Sequence, residues 1–594
     1  MPLIVPLSPY KDATERNLLA LAESLGIECV QEPLKQIFAS SSGNESAPAN
    51  SCLVLNPQQL KRTLGDSILS HDTAARLCSQ FRFLMICNLS LDPYCDQLVK
   101  ILSGGLLRSV EMARTNRPYE VPAGDDGVCG PFSGLAFGTA GAGDFVLQAD
   151  PQRPLPALTS ITSIDGRPHM ARMRRGNAEL FFLAASEIAD IHAPASIKQP
   201  VGEFFSTLIE PAMLLRYMFP EQFWHQKEHY AALIVDDPPL WPDYGYLNYE
   251  RLVGLMDQHG FHTCTAFIPH NYRRSAAETA KLFSRRRDRL SLCFHGNDHT
   301  GAEFGEHNPA KLNQILKSAI SRMDQHRAGT SLDCDRVMVF PQGIFSREAM
   351  AALRRNNFLA AINTEDHPAG ATDHIELGDL LQPAVLKYGF PLFLRKPVER
   401  INPEDIAFNL FFSKPIFIGA HHDSFKQVET LEGLVERINS LCPAIRWSSP
   451  ATAINGSYVT RRSAAGVREI RTYSNEGSLE NQSECAVRFS LDLTGGLPLE
   501  QQRLLLNGQC DLNSIVEPGD SRISLSLAPG KRCSFDVSHD DPATTSRELH
   551  IGAAIASFCR RRLSEFRDNY LSKSPGMLLT AKTLQRRMQG LLNP

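Results

Sequence analysis

Seven short apolar runs alternate with helical patterns between residues 230 and 450, and this alternation constrains the fold more than any other feature. Repeated strand–helix units are typical of parallel sheets whose helices cover the strands. Seven units close into a barrel more readily than they form an open sheet, and a barrel gathers functional groups at the carboxyl ends of its strands. We therefore predict an α/β fold with a central barrel. The apolar runs are Tyr230–Val235, Thr263–Ile268, Leu290–Phe294, Val337–Phe340, Phe358–Ile362, Phe390–Leu394 and Ile416–Ile418.

Residue types that bind metals follow two of these runs directly. Asp236 and Asp237 come after the first run, and His295 comes after the third, with His299 four residues later. Residues four apart on a helix or tight turn point the same way, so both imidazoles can reach one ion at about 2.0 to 2.1 Å. One carboxylate and two imidazoles form a ligand set for a divalent metal. The alternative interpretation is a pair of surface histidines in a loop.

The two adjacent aspartates need a cation nearby if they are partly buried. Like charges raise the pKa of one carboxyl group, and desolvation raises the pKa of both. If Asp237 binds a metal, its charge is compensated, and Asp236 remains as a carboxylate that can accept a proton from water. A helix N-cap with a solvated neighbour is the alternative, favoured by Pro238 and Pro239.

Four segments in chain order resemble the motifs of the polysaccharide deacetylases with a NodB-like domain, the family 4 carbohydrate esterases. The family motif Thr-Phe-Asp-Asp-Gly is similar to Ile234–Pro238, and His-Ser/Thr-x-x-His is similar to His295–His299. Pro-x-Gly resembles Phe340–Gly343, and Leu-x-His, often followed by Asp, resembles Ala420–Asp423. The resemblance is confined to the central part of the 594-residue chain and indicates a divergent multidomain member with a NodB-like distorted (β/α) barrel.

The resemblance implies a metal site and a general base. Asp237, His295 and His299 would hold a divalent metal, with zinc as the first expectation and cobalt, nickel or manganese as the others. Asp236 would be the general base that deprotonates the attacking water.

The resemblance also implies an acid and an oxyanion site. His422, or as second choice His421, would be the general acid that protonates the leaving amine. A backbone N–H in the turn Pro341-Gln342-Gly343 would stabilise the oxyanion together with the metal.

The sequence departs from the family pattern at several positions. Pro238 replaces the glycine after the aspartate pair, which removes a backbone donor and stiffens the turn. No arginine stands just before Pro341 to hold the base, and we expect Arg395 to serve instead, with an ordinary surface arginine as the alternative. Asp366 is the candidate for the family's fourth motif, although the tryptophan of that motif is missing.

The flanking regions predict further domains. Residues 1–220 indicate an α/β domain of flavodoxin-like or amidotransferase-like type, and residues 221–450 form the barrel. Period-two alternation after residue 450 predicts a small accessory β-sandwich over 451–545, followed by a helical tail over 546–594. The glycine-rich Gly138–Gly143 precedes a strand instead of opening a helix, so we interpret it as a loop and not as a phosphate site.

Composition excludes several classes of function. With 61 basic and 65 acidic residues, the net charge of −4 argues against a nucleic-acid partner. The sequence contains no run of 18 apolar residues, so it predicts no membrane span. The first residues lack the basic flank of a signal peptide, and we therefore expect a cytoplasmic protein. The 14 cysteines contain no Cys-x-x-Cys and are expected to be reduced thiols, mostly in the core.

These observations predict a metal-dependent hydrolase that removes N-acetyl groups from the amino sugars of a saccharide. A metal-dependent amidase acting on a small amide with a non-carbohydrate C–N bond is the second hypothesis. A catalytically inactive barrel that binds saccharides or serves assembly is the third.

Overall fold

The computed structural model describes most of the chain. The described residues are 2–7, 13–34, 36–37, 51–65, 68–152, 158–366, 368, 374–463, 465–474, 476–493, 503–508, 522–538, 562–563 and 565–571.

The centre of the molecule is a closed barrel of seven parallel strands. Each strand pairs with the next along the chain, beginning with the first and second. The last strand pairs with the first, and this pairing closes the barrel. The predicted barrel is therefore confirmed. Its strands are Tyr230–Asp236, Thr263–Phe267, Leu290–His295, Asp335–Val339, Ala360–Asn363, Phe390–Pro397 and Ile416–Ala420. Its helices are Tyr249–His259, Ala277–Arg285, Pro309–Thr330, Arg347–Arg355, Pro403–Phe411 and Val428–Leu441.

Both faces of the barrel strands are buried, which explains why the strands are continuous apolar runs. In the first strand Ala232 and Ile234 point into the barrel, while Leu233 and Val235 pack against the surrounding helices. Side chains alternate between the two faces, so Asp236 continues the inward series at the carboxyl end. By the same alternation His295 and Arg395 also point inward, and three polar groups meet at one rim.

Short turns connect the barrel elements. The helix Tyr249–His259 begins where the Asn248 side chain accepts a hydrogen bond from the Arg251 N–H, and it ends at Gly260 in a left-handed conformation. Single helical turns lie at Pro269–Asn271, Glu303–Gly305, Pro341–Gly343, Leu377–Leu381, Val398–Arg400 and His422–Lys426.

The N-terminal part of the chain forms a mixed nine-stranded sheet. Its parallel strands lie in the order 2-1-3-4-5, an order also found in flavodoxin-like sheets. In sheet order the nine strands are Cys29–Pro33, Leu3–Leu7, Cys52–Leu55, Phe83–Ile86, Ala178–Leu183, Arg167–Arg175, Leu158–Ile164, Tyr119–Glu120 and Ala136–Phe137. The helices are Ala13–Ser24, Pro57–Leu64, His71–Gln80, Pro93–Leu102, Asp126–Cys129 and Glu210–Met218, with helical turns at Gly130–Phe132, Val201–Phe204 and Phe205–Ile209.

Shorter strand pairs complete the first two regions. They join Leu107–Met112 to Phe145–Ala149, Pro194–Ala195 to Ile375–Glu376, Asp243–Tyr244 to Leu247–Asn248, Val385–Lys387 to Phe390–Pro397, and Arg446–Trp447 to the first barrel strand.

The N-terminal region and the barrel share one apolar core. The ring of Phe411, on the barrel helix Pro403–Phe411, lies 5.0 Å from the ring of Phe132. The guanidinium of Arg216 lies 4.8 Å from the centre of the Phe411 ring and donates a hydrogen bond to the Phe411 carbonyl. This packing fixes the N-terminal region against one side of the barrel.

The predicted β-sandwich is confirmed after the helix Pro450–Gly456. Leu479 and Phe535 of one sheet share an apolar cluster with Ile470, Phe489 and Leu525 of the other. One sheet contains Val459–Arg462, Arg468–Thr472, Val487–Leu493 and Arg522–Leu527, and the other contains Glu476–Glu480, Arg532–Ser538 and Arg503–Gly508.

Only part of the predicted helical tail is described. Residues 562–563 and 565–571 are helical, with a wide turn at Arg567–Leu571, and the rest of the predicted tail lies outside the described residues. The boundaries at residues 220, 450 and 545 stay predictions. Among the described helices, none has both the length and the apolarity that a membrane span needs.

The shared core generates a test of stability. Phe411 is 1% exposed, so we expect Phe411→Ala to lower the free energy of unfolding by about 3–5 kcal/mol through lost burial and a residual cavity. Urea unfolding followed by circular dichroism measures the change. Leu91→Ala, at a side chain 52% exposed, is the control. If Phe411→Ala lowers the free energy of unfolding no more than Leu91→Ala does, the shared core is contradicted.

Candidate metal centre

Asp237, His295 and His299 come together at the carboxyl rim of the barrel. The Nε2 atoms of His295 and His299 lie 3.4 and 3.2 Å from Oδ1 of Asp237. One potential ligand atom from each residue lies within 4.8 Å of the others, so one ion can be reached by all three.

Backbone turns direct these side chains. Asp237 has a φ of +81° and His299 a φ of +53°, which are left-handed conformations that few residues other than glycine adopt. Gly296, directly after His295, has a φ of +66°, and a Cβ there would lie 2.5 Å from Pro341. We call residues 296–303, which follow the strand Leu290–His295, the histidine loop. Glycine is required where this loop leaves the strand, because the loop closely approaches the turn that begins at Pro341.

Glu303 holds the histidine loop from inside. Its carboxylate accepts hydrogen bonds from the N–H groups of Asn297, Asp298 and His299, at 2.8 to 3.1 Å. Burial raises the pKa of Glu303, and the three N–H donors oppose this rise. Sequence reasoning missed Glu303. The only signal was a carboxylate four residues after His299, which is a common spacing.

The hydrogen bonds of His295 suit a metal ligand. Its Nδ1 lies 3.0 Å from the carbonyl oxygen of Val339 and donates to it, which directs Nε2 at Asp237. Burial lowers the pKa of His295, but Asp236 and Asp237 more than offset it, and the net pKa is raised. A site that attracts positive charge in this way and offers two imidazoles and a carboxylate fits zinc or another divalent first-row metal.

Asp236 has a different partner from its neighbour. Nη1 and Nη2 of Arg395 donate to its two carboxylate oxygens at 2.7 and 2.5 Å, and both side chains are 6% exposed. Burial alone would raise the pKa of Asp236, but Arg395 and His295 hold it below its usual range. The carboxylate is therefore ionised at neutral pH and fixed in orientation by a two-point ion pair.

The Pro341–Gly343 turn lies beside the candidate metal ligands. Gln342 has a φ of +58° and Gly343 a φ of +70°. The N–H of Gly343 donates to the carbonyl of Phe340 at 3.1 Å, so that donor is used within the turn. Asn363, which sequence reasoning missed, donates to the Gly343 carbonyl at 2.9 Å and anchors the turn from the neighbouring strand.

The two consecutive histidines face different surroundings. Nδ1 of His421 lies 4.0 Å from Oδ2 of Asp237, and its side chain is 59% exposed. His422 is largely buried between the rings of Tyr244 and Tyr246, with its Nε2 3.6 Å from Oδ1 of Asp568. His421, the second choice from sequence, therefore lies closer to the predicted ligands.

The remaining predicted residues lie around this site. Pro238 is buried directly after Asp237. Asp366 is also buried, and its neighbour Glu365 forms an ion pair of 2.9 Å with Lys198 of the N-terminal region. The carboxylate found beside His422 is that of Asp568, which sequence reasoning missed.

Two cavities meet at the rim. The larger has a volume of about 840 Å³ and lies between the barrel and residues 197–201 of the N-terminal region. A second groove, of about 600 Å³, reaches Asp237 and His421 from the other side. The larger cavity is lined by Asp236, Asp237, His295, His299, Gln342 and His421 among others.

Comparisons with known proteins find structural similarity only. No family model and no curated protein matches the chain. It is similar to a family 4 carbohydrate esterase from Streptomyces lividans in complex with acetate, at 13% identity over 39% of this chain and 97% of that one, with a TM-score of 0.24. A CE4 esterase of Streptococcus mutans matches at 11% identity over 36% of this chain and 84% of that one, with a TM-score of 0.23.

A CE4 family pseudoenzyme from Bacillus anthracis matches at 11% identity and a TM-score of 0.24. That match covers 37% of this chain and 64% of the pseudoenzyme. The three solved structures are of the family whose motifs this sequence resembles. The proposed function rests on the site's own geometry.

Metal analysis tests the candidate centre. We expect purified protein to contain about one divalent ion per chain by mass spectrometry, and His295→Ala/His299→Ala to contain none, because two of three ligands are removed. The double variant His192→Ala/His307→Ala is the matched control, since both side chains are exposed, at 65% and 79%. Wild type without metal after reconstitution, or retention by the His295/His299 variant, would contradict the site.

Proposed function

We propose that this protein is a metal-dependent hydrolase that removes the N-acetyl group from an amino sugar of a saccharide. The observation that carries the proposal is the division of one aspartate pair into two roles. Asp237 faces two imidazoles, while Asp236 is held by Arg395 in a two-point ion pair. A metal ligand beside an oriented, ionised carboxylate suits the metal-assisted hydrolysis of an amide by water.

Asp237, His295 and His299 would hold the metal, with zinc as the first expectation. When bound, it supplies Lewis-acid polarisation of the amide carbonyl and makes water more acidic. Asp236 accepts the proton of the attacking water. Arg395 keeps this base ionised and aimed at the water, in place of the arginine missing before Pro341.

The oxyanion and the leaving amine need donors. We assign the oxyanion to the backbone N–H of Gln342, since the Gly343 N–H is used within its own turn. His421, in its protonated form, donates a proton to the amine nitrogen as the C–N bond breaks, which yields acetate and a free amine. His421 is favoured over His422 because it lines the larger cavity and lies 4.0 Å from Asp237.

The larger cavity supports an extended substrate. Its volume of about 840 Å³ exceeds what an acetyl group alone needs, and charged side chains such as Lys198, Glu399 and Arg400 lie along it. The apolar inner wall, with Leu394, Phe408 and Phe417, favours a second candidate, a small non-carbohydrate amide. The same residues and metal would hydrolyse either substrate.

Paired substitutions separate the two aspartates. Asp236→Asn should keep the metal and lower kcat by about 10²- to 10⁴-fold, the usual contribution of a general base. Asp237→Asn should lose both activity and metal. Metal content by mass spectrometry and acetate release measure the two effects. Equal activity in wild type and both variants would contradict the assigned roles.

A substrate screen divides the two enzymatic candidates. We expect wild-type protein to release acetate from N-acetylated oligosaccharides, and release only from small amides or ureides would support the amidase instead. Asp236→Asn is the negative control in each assay, because any contaminating hydrolase would survive that substitution. Release of neither acetate nor ammonia by metal-loaded wild type would overturn the proposed function.

A further inference from the structure

The described end of the chain lies against the rim of the barrel beside the candidate site. We define the C-terminal segment as residues 565–569. It contacts the loop after the first barrel strand, the loop after the second, and the turn after the last. These loops follow barrel strands at the rim that carries Asp237, His295 and His299, and the segment contacts all three loops.

A buried ion pair anchors the segment. Nη1 and Nη2 of Arg274 donate to the two carboxylate oxygens of Glu565 at 2.6 and 2.9 Å, and the Glu565 side chain is 6% exposed. The guanidinium of Arg274 also stacks 5.1 Å from the ring of Trp241. Two-point pairs of this kind fix orientation as well as position. At the other end of the segment, Asn569 accepts a hydrogen bond of 2.9 Å from the Gly245 N–H.

Asp568 lies between the two anchoring residues, Glu565 and Asn569, and contacts the turn that contains His421 and His422. Its Oδ2 accepts a hydrogen bond of 2.6 Å from the hydroxyl of Tyr244, and its Oδ1 lies 3.6 Å from Nε2 of His422. Burial would raise the pKa of Asp568, but the nearby His422 and the hydrogen bonds from Arg567 and Tyr244 lower it to about 2. The carboxylate is therefore charged at neutral pH, although its side chain is 6% exposed.

Three neighbouring residues restrict the orientation of the His422 ring. The ring meets Tyr244 edge-on with centroids 5.5 Å apart and lies parallel to Tyr246 at 6.3 Å. A Cβ on Gly245 would lie 2.2 Å from Nδ1 of His422, so the backbone of Gly245 also packs closely against the His422 ring. His422 is adjacent to His421 in the chain, and fixing one residue fixes the start of the other's side chain.

We propose that the C-terminal segment is a part of the active site, in which Asp568 is a positioning residue that holds the His421–His422 turn through His422. The segment also forms one wall of the second groove, where Arg567 and Asp568 face Asp237 and His421. This inference rests on the proposed function, since it assigns the acid to His421. Asp568 itself does not touch the substrate.

The test compares two substrates that differ in their need for an acid. Expulsion of an amine from an amide needs protonation, whereas 4-nitrophenolate leaves without it. We expect Asp568→Ala to lower kcat for an N-acetylated oligosaccharide at least about 10-fold, with KM and metal content unchanged, and to change 4-nitrophenyl acetate hydrolysis less than 2-fold. Asp333→Ala, at an exposed carboxylate, is the matched control for both substrates.

Anchoring has a readout that does not depend on turnover. Hydrogen exchange of residues 421–426 should become faster in Asp568→Ala and in Arg274→Glu, and the double variant Arg274→Glu/Glu565→Arg should restore the protection that Arg274→Glu loses. The exchange of the Asp333→Ala control should match that of wild type.

The outcomes separate the inference from the proposed function. Equal losses on both substrates, or no loss on the oligosaccharide with unchanged exchange at 421–426, would overturn the role of Asp568 while wild-type turnover stands. No turnover of either substrate by metal-loaded wild type would overturn the proposed function, and the assignment of the acid would fall with it.

Discussion

Two adjacent carboxylates at the end of a buried strand are the constraint on which the site depends. Asp236 and Asp237 repel each other, and burial increases the cost of their charges. Asp236 forms a two-point ion pair with Arg395, whereas Asp237 faces the imidazoles of His295 and His299. Because Arg395 neutralises Asp236, the charge of Asp237 is left to be compensated at the rim, where a divalent ion has room. The proposed chemistry follows from this division.

The placement of the central residues could be predicted from sequence because strand periodicity controls it. Asp236, His295 and Arg395 each continue the inward face of a strand, and parallel strands in a barrel bring their carboxyl ends together. The seven apolar runs were sufficient for the barrel for the same reason, since strands buried on both faces are apolar throughout. Which histidine of the pair faces the metal ligands depends on the turn after the last strand, and the sequence pattern does not encode that turn.

Residues that act through tertiary contacts could not be found in this way. Glu303 supports the histidine loop through backbone N–H groups, and such contacts leave no spacing signal. Asp568 reaches His422 only because residues 565–569 lie against the barrel. In the N-terminal region the fifth parallel strand, Ala178–Leu183, follows an antiparallel excursion, so sequence order does not give its place in the sheet. The core shared through Phe411 likewise joins segments far apart in the chain.

The central claim is that one metal ion is bound by Asp237, His295 and His299. The most direct test is a crystal structure of metal-loaded protein with anomalous scattering measured on both sides of the metal's absorption edge. We expect one strong anomalous peak at the barrel rim within coordination distance of these three side chains, with the Asp236–Arg395 pair intact beside it. A peak at other residues, or no peak in fully loaded protein, would contradict it.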